Sequence, residues 1–222
     1  MSIKTYNTDC IKFMNNHKDF IDLILTSPPY NMTKRKGGDA DTNRYDEYND
    51  WKKPKEYLNW SVNIFNHFNN VLIKNGIVVY NFSYSIENPS FPYQLVSEIV
   101  SKTNFCIADT IIWKKPHSMP FPASPNRLQR IYEFIFIFVR KDEIKSFTTN
   151  KQISKVSPTN QTYAKPNKDF IVYDSFLGTG TTAIGCIKYG CSFLGTEISE
   201  KQFDYTNNRI NKELKEVGLF NG

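Results

Sequence analysis

Short apolar runs alternate with longer amphipathic segments along the 222-residue chain, and this alternation constrains the fold more than any other feature. A parallel sheet with crossover helices produces such a pattern. Runs of strand length are followed by segments long enough for a helix. The strand candidates are residues 3–6, 21–25, 77–82, 107–113, 133–139, 170–173 and 192–195.

Two of the connections can be interpreted in more detail. Apolar residues recur at helical spacing over 56–73, and Gly76 follows as the predicted stop of this crossover helix. Four prolines between runs 107–113 and 133–139 exclude a helix there and predict an antiparallel hairpin with a long loop. The sequence therefore predicts an α/β fold with a mostly parallel sheet and one hairpin, as a single domain over 1–222.

Two segments do not have the composition of a core. Segment 31–55 is mixed in charge and carries three aromatic residues, and segment 145–169 is polar and punctuated by prolines. We expect both to be mobile loops.

The composition narrows the class of protein. A hydrophobic content of 40% supports a packed core, and a net charge of +6 with a pI near 9.0 favours an anionic partner. The four cysteines lack the spacing of a zinc site or a disulfide framework, so we expect buried, reduced thiols and no metal. No leader pattern or membrane-length apolar stretch is found, which predicts a soluble, cytoplasmic protein without membrane contacts.

The first motif, Thr26-Ser27-Pro28-Pro29-Tyr30-Asn31, directly follows the apolar run 21–25. Open α/β sheets place their active sites at strand ends of this kind. The two prolines fix the backbone and remove two N–H donors, so the carbonyl groups there can face a ligand. The tetrad Ser27-Pro28-Pro29-Tyr30 can therefore accept two hydrogen bonds from an amino group. A proline turn that only ends the strand is the alternative.

The second motif, residues 174–182, has the sequence Asp-Ser-Phe-Leu-Gly-Thr-Gly-Thr-Thr and lies between strand 170–173 and a predicted helix. Glycines let the backbone press against a cofactor, and helix N-termini favour anionic groups. Glu197 ends the next strand about twenty residues later, where a carboxylate can hold a ribose diol. An ordinary glycine turn and a helix-capping carboxylate are the alternatives.

Together the two motifs resemble the amino-methyltransferases of DNA in the permuted order, in which the catalytic tetrad precedes the cofactor-binding glycine loop. Residues 26–31 are similar to the catalytic motif. Residues 174–182 resemble Asp-Pro-Phe-x-Gly-Ser-Gly-Thr-Thr, and the departures Ser175 and Thr179 keep its small, turn-compatible character. The resemblance covers most of the chain and implies the Rossmann-like fold of S-adenosylmethionine-dependent methyltransferases.

The resemblance implies roles for individual residues. The implied catalytic residues are Ser27, Pro28, Pro29 and Tyr30, which would receive a base flipped out of the duplex. The implied contacts of the cofactor S-adenosyl-L-methionine are Asp9, Cys10, Asp174, Phe176, Gly178, Gly180, Thr181, Thr182 and Glu197. Within that set, Glu197 matches the acid that binds the ribose and Asp9 matches the acidic position that faces the adenine.

Residues 113–120, Arg127 and residues 133–136 resemble a hairpin found in members that carry Ser-Pro-Pro-Tyr, a subgroup that largely acts on cytosine N4. We therefore expect double-stranded DNA as the partner and cytosine N4 as the target, ahead of adenine N6. Methylation at carbon 5 is excluded because no Pro-Cys pair supplies its nucleophile.

Other readings stay open at this point. They are a catalytically weak relative that only binds cofactor or DNA, and an RNA or protein-glutamine substrate. A second copy of the chain and a restriction endonuclease of the same system are possible partners. Segments 31–55 and 145–169 are candidates for contacts with DNA.

The segment before the glycine loop differs from the family pattern. Relatives carry an amphipathic helix before the glycine loop, and its apolar face helps to wall the methionine part of the cofactor pocket. Residues 157–161 resemble the start of this element, but apolar residues over 151–169 are sparse, and Pro158 and Pro166 interrupt the segment. We therefore expect no stable helix there and a pocket that is open on one side.

Overall fold

The computed structural model describes residues 1–18, 20–31, 52–83, 88–115, 131–148 and 169–219. Its strands are β1 (Ile3–Asn7), β2 (Ile21–Thr26), β3 (Leu72–Phe82), β4 (Phe105–Lys114), β5 (Tyr132–Arg140), β6 (Ile171–Asp174) and β7 (Ser192–Glu197). Its α-helices are α1 (Cys10–Met14), α2 (Pro54–Val71), α3 (Phe91–Lys102), α4 (Thr181–Tyr189) and α5 (Glu200–Leu219). A short 3-10 helix spans Ile144–Ser146.

The strands form one sheet in the order β1-β7-β6-β2-β3-β5-β4. The first five in this order run parallel, whereas β5 is antiparallel to both β3 and β4. The predicted α/β fold with a mostly parallel sheet and an antiparallel hairpin is therefore confirmed. Every predicted strand segment forms a strand, whereas the proline-rich loop of the hairpin lies outside the described residues.

The sheet has a switch point between β2 and β6. From β2 the chain crosses through α2 to β3 on one side, and from β6 it crosses through α4 to β7 on the other. Crossovers that leave in opposite directions open a crevice at the carboxyl ends of the two strands. Both sequence motifs begin at this crevice.

The C-terminal end of helix α2 differs from the predicted one. We expected the helix over 56–73 with Gly76 as its stop, but it ends at Val71 and β3 begins at the next residue, so Gly76 lies inside the strand. The reason is a distant side chain: buried Arg140 of β5 donates to the carbonyl groups of Asn69, Leu72 and Ile73 over 2.7–2.9 Å. The bond to Asn69 satisfies one of the last helix carbonyls, which a glycine cap would otherwise serve, and the other two hold the chain where β3 begins.

The two predicted loops fall mostly outside the described residues. Residues 32–51 and 149–168 are not described, and the second range contains all but the last residue of segment 151–169, in which we expected no stable helix. The predicted loops 31–55 and 145–169 each included residues that belong to a helix. Residues 54 and 55 already belong to α2, and residues 145 and 146 belong to the short 3-10 helix.

The core lies on both faces of the sheet. On one face, the ring of Phe65 from α2 packs against Phe68, Tyr80, Phe105 and Phe138, with centroid distances of 4.8–5.5 Å. On the other face, α4 and α5 cover β6 and β7 with a second apolar cluster. Among the described residues, no helix is long and apolar enough to cross a membrane.

The cysteine prediction is confirmed in part. All four are free thiols, and Cys10, Cys186 and Cys191 are buried as expected. Cys106 was expected in the core and is only half-buried, because it lies on the outermost strand, β4, one residue after the core residue Phe105.

Candidate active site

The two motifs meet through a buried hydrogen bond at the switch point. The hydroxyl group of Thr26, the last residue of β2, donates to Asp174 Oδ1 at the end of β6 over 2.7 Å. Thr26 Oγ1 also lies 3.1 Å from Ser175 Oγ. Thr26 and Asp174 are 2% and 4% exposed. Thr26 and Asp174 are 148 positions apart in the sequence. Their buried hydrogen bond therefore holds the starts of the proline tetrad and the glycine loop next to each other.

Asp174 supports the glycine loop from beneath. Its carboxylate accepts a hydrogen bond of 2.7 Å from the Thr182 hydroxyl and one of 3.1 Å from the Phe176 amide. Burial raises the pKa of Asp174 above its usual value, and the hydrogen bonds from Thr26, Thr182 and the Phe176 amide oppose this effect. The carboxylate thus faces protein donors, so we expect it to act on a cofactor by shaping the loop.

The glycine loop needs residues without a side chain. Gly178 and Gly180 adopt left-handed φ values of 49° and 78°, and α4 begins directly after them at Thr181. A Cβ atom on Gly180 would lie only 2.6 Å from Thr206 Cγ2 of α5. The loop therefore turns tightly and leaves the N-terminal turn of α4, with exposed Thr181, at the crevice.

Glu197 ends β7 beside this loop. Its Oε2 accepts a hydrogen bond of 2.9 Å from the Gly178 amide, and its Oε1 accepts one of 3.1 Å from the Ser199 amide. The carboxylate is half-buried and fixed in orientation, yet each oxygen keeps a lone pair for a further donor. The structure thus shows Glu197 as a local acceptor for backbone amides, and its role as a receptor for a ribose diol stays a prediction.

Asp9 and Cys10 follow β1, the neighbour of β7. Asp9 is exposed and caps α1, because its Oδ1 accepts hydrogen bonds from the amides of Ile11 and Lys12 over 2.9 and 3.1 Å. Cys10 is 5% exposed and packs in the core. Burial raises the pKa of Cys10, and the charge of Asp9 adds to this effect. The structure thus gives Asp9 a helix-capping role and turns the Cys10 side chain into the core.

Aromatic residues connect α2 to both motifs. The ring of Phe176, in the glycine loop, lies 5.5 Å from the ring of Trp60 on α2. The same helix carries Tyr57, whose hydroxyl donates to the carbonyl of Pro29 over 2.6 Å. Helix α2 therefore braces both motifs, a role that sequence reasoning did not assign to it.

The tetrad itself is partly buried. Pro28 and Pro29 are buried, Tyr30 is half-buried and Ser27 is exposed. The Tyr30 ring packs edge-on against Phe82 of β3, with centroids 5.3 Å apart. The serine hydroxyl thus lies at the surface of the crevice, on a backbone that the prolines and the aromatic contacts hold in place.

A polar network surrounds the Tyr30 hydroxyl. Ser27 donates to Tyr30 Oη over 2.9 Å, and Tyr30 donates to Glu133 Oε2 over 3.1 Å. The Asn81 amide group donates to both Tyr30 Oη and Glu133 Oε2, over 2.9 and 3.0 Å. Lys115 forms an ion pair with the second oxygen of Glu133. The network joins the ends of β2, β3 and β4 to the start of β5.

Sequence reasoning missed the roles of Asn81, Lys115 and Glu133. One signal was available: Glu133 is the sole acid in the apolar run of β5, where a buried charge is expensive and often marks a functional site. Asn81 is a similar polar residue near the end of the apolar strand β3.

Residues 21–169, about two thirds of the chain, match the sequence profile of the DNA methylase family. The chain belongs to this family. The matched range contains the tetrad and the Asn81–Glu133 network. The glycine loop and Glu197 lie beyond it.

Among sequence relatives, the type II methyltransferase M.MwoI of Methanothermobacter wolfeii is 28% identical over 89% of the chain. The type II methyltransferase M.HinfI of Haemophilus influenzae is 26% identical over 93% of the chain. The chain spans only 33% of the first relative and 67% of the second.

Solved structures show the same fold. The cytosine-N4-specific PvuII DNA methyltransferase superposes with a TM-score of 0.69 at 15% identity, covering 98% of this chain and 93% of its own. The complex of M1.HpyAVI with S-adenosyl-L-methionine (SAM) superposes with a TM-score of 0.59 at 21% identity, covering 94% of this chain and all of its own. The fold is therefore one that also occurs in a protein solved with this cofactor.

Proposed function

We propose that this DNA methylase transfers a methyl group from S-adenosyl-L-methionine to the exocyclic amino group of a DNA base that is flipped out of the duplex. The observation that carries the proposal is the buried bond between Thr26 and Asp174. It joins a tetrad suited to an amino group to a loop suited to a cofactor. Neither motif alone would specify the reaction.

The residues at the crevice fit this cofactor. Its carboxylate suits the exposed N-terminal turn of α4 behind Gly178 and Gly180, and its ribose diol suits the oriented carboxylate of Glu197. When bound, the cofactor supplies an electrophilic methyl group on a sulfonium. Phe176 and Trp60 offer an apolar wall that excludes water from the site.

The tetrad would prepare the base amino group for attack. Such an amine is a poor nucleophile because its lone pair is delocalised into the ring. Ser27 Oγ and the Pro28 carbonyl accept hydrogen bonds from its two N–H groups, which favours a pyramidal nitrogen and stabilises the positive charge that develops there. The Tyr30 ring stacks on the flipped base, so positioning supplies much of the rate.

Cytosine N4 is the target we propose first. The tetrad carries Ser27, and by resemblance adenine-directed members more often have Asp or Asn at this position. Adenine N6 presents the same kind of amino group and is the alternative. The net charge of +6 supports a polyanionic substrate, which we propose is double-stranded DNA contacted by segments 31–55 and 145–169.

The relatives' type II names support a restriction-modification context for this chain. A cognate restriction endonuclease and a homodimer are the partners that this context suggests.

Incubation with radiolabelled SAM tests the proposal. We expect label in unmethylated double-stranded DNA, and none in RNA or in a glutamine-containing protein. A Tyr30→Ala variant serves as the catalytic control. If DNA is bound but no label enters it, the chain is a binding relative and the proposed activity is wrong.

A further inference from the structure

We infer that Glu133 is a positioning residue that sets the direction of the hydrogen bonds in the Ser27–Tyr30 pair, and so makes Ser27 an acceptor for a base amino group. The inference deepens the proposed function and rests on it. Glu133 does not belong to the tetrad, and it acts on the base only through Tyr30.

The direction follows from counting donors. A carboxylate has no hydrogen to give, so the 3.1 Å contact between Glu133 Oε2 and Tyr30 Oη must use the tyrosine hydrogen. Tyr30 Oη can then only accept at its 2.9 Å contact with Ser27, which must donate. The one hydrogen of Ser27 is thus directed at Tyr30 Oη. Its oxygen is left to accept from a ligand.

Asn81 fixes the same direction a second time. Its amide group lies 2.9 Å from Tyr30 Oη and 3.0 Å from Glu133 Oε2. The amide nitrogen must face the carboxylate, because the amide oxygen in that place would put two acceptors in contact. Tyr30 Oη therefore accepts from Asn81 as well as from Ser27, and its own hydrogen is committed to Glu133.

Burial makes this control strong. Glu133 is 6% exposed and lies in a strand of aromatic and aliphatic residues, where hydrogen bonds are stronger than in water. Lys115, at the end of the neighbouring strand, pairs with its other oxygen and offsets the cost of burying the charge. The carboxylate thus stays in place as an obligatory acceptor.

The consequence is selectivity for a chemical group. A Ser27 oxygen that can only accept takes an amino hydrogen, as on cytosine or adenine, and repels a carbonyl oxygen, as on thymine. Glu133 would therefore help to choose amino-bearing bases without touching them.

The test is a double-mutant cycle in methyl transfer to DNA. Glu133→Gln keeps the shape of the side chain but introduces an NH2 donor, so the hydrogen bonds from Ser27 to Tyr30 and from Tyr30 to residue 133 can reverse their direction. We expect kcat to fall about 10- to 100-fold, as for loss of a charge-assisted hydrogen bond, with little change in KM for SAM. In the Tyr30→Phe background the same change should have little further effect, because the hydroxyl group through which Glu133 acts on Ser27 is already absent.

Glu216→Gln is the matched control, because Glu216 is 53% exposed and pairs with Lys212 on the surface of α5. It should behave as wild type. If Glu133→Gln does not fold, Asn81→Leu replaces it in the same cycle, with the same non-additivity expected.

An unchanged kcat, or effects that add in the double variant, would overturn the inference while the proposed function stands. A wild-type chain that transfers no methyl group would overturn the proposed function, and the inference with it.

Discussion

At the scale of single residues, Ser27 and Tyr30 are the side chains that we propose to face the base. Ser27 is exposed at the crevice, and Tyr30 is held by Phe82 and the Glu133 network. Ser27→Ala and Tyr30→Ala should each lower kcat by orders of magnitude and leave folding and SAM binding nearly intact. Steady-state kinetics and calorimetry check this together. Loss of SAM binding in either variant would mean that these residues belong to the cofactor site.

A second prediction at this scale concerns Glu197. Replacing it with Ala removes the charge-assisted hydrogen-bond partner that we propose for the ribose, worth about 1.5–3 kcal/mol, so the dissociation constant for SAM should rise about 10- to 150-fold. Asp174→Ala should weaken binding too, because Asp174 holds the loop through Thr182 and Phe176. An affinity unchanged in both variants, measured by calorimetric titration, would refute the cofactor assignment.

The sequence was informative where a site is a contiguous motif. The tetrad and the glycine loop are both local, so their residue types and order predicted the crevice. The network around Tyr30 is not local, since Asn81 and Glu133 lie 51 and 103 positions from it along the chain. The sequence shows each of them only as a polar residue in an apolar strand.

At the scale of secondary structure, α5 acts as a clamp on the glycine loop. Side chains at helical spacing donate to the loop carbonyls: Gln202 and Thr206 to Gly178, and Arg209 to Thr179. Thr206→Val keeps the shape and removes one neutral hydrogen bond, so SAM affinity should fall about 2- to 10-fold with kcat little changed.

Tyr205→Phe is the control for this prediction, because Tyr205 neighbours Thr206 but is 59% exposed. Its affinity for SAM should equal that of wild type. Equal affinities in both variants would show that the clamp does not shape the cofactor site.

Element boundaries were harder to predict than the elements themselves. The apolar spacing that revealed α2 does not show where the helix stops, because the stop depends on Arg140 reaching back from β5. A boundary set by a tertiary contact has no local signal in the sequence.

At the scale of the whole molecule, the fold class could be predicted because an alternation of short apolar runs with longer amphipathic segments is typical of a parallel sheet with crossover helices. Apolar residues are sparse over 151–169, so we expect the cofactor pocket to be open on one side. We therefore predict that the chain by itself binds SAM weakly. A sub-micromolar dissociation constant for the isolated monomer in calorimetric titration would contradict this prediction.

The most direct measurement of the central claim is nucleoside mass spectrometry of unmethylated DNA treated with the chain and SAM, with the Tyr30→Ala variant in parallel. We predict N4-methylcytosine in the wild-type reaction and none in the variant. N6-methyladenine in its place would change the target base and keep the amino-methyl transfer. DNA without any methylated amino group, under conditions where SAM and DNA are both bound, would contradict the account.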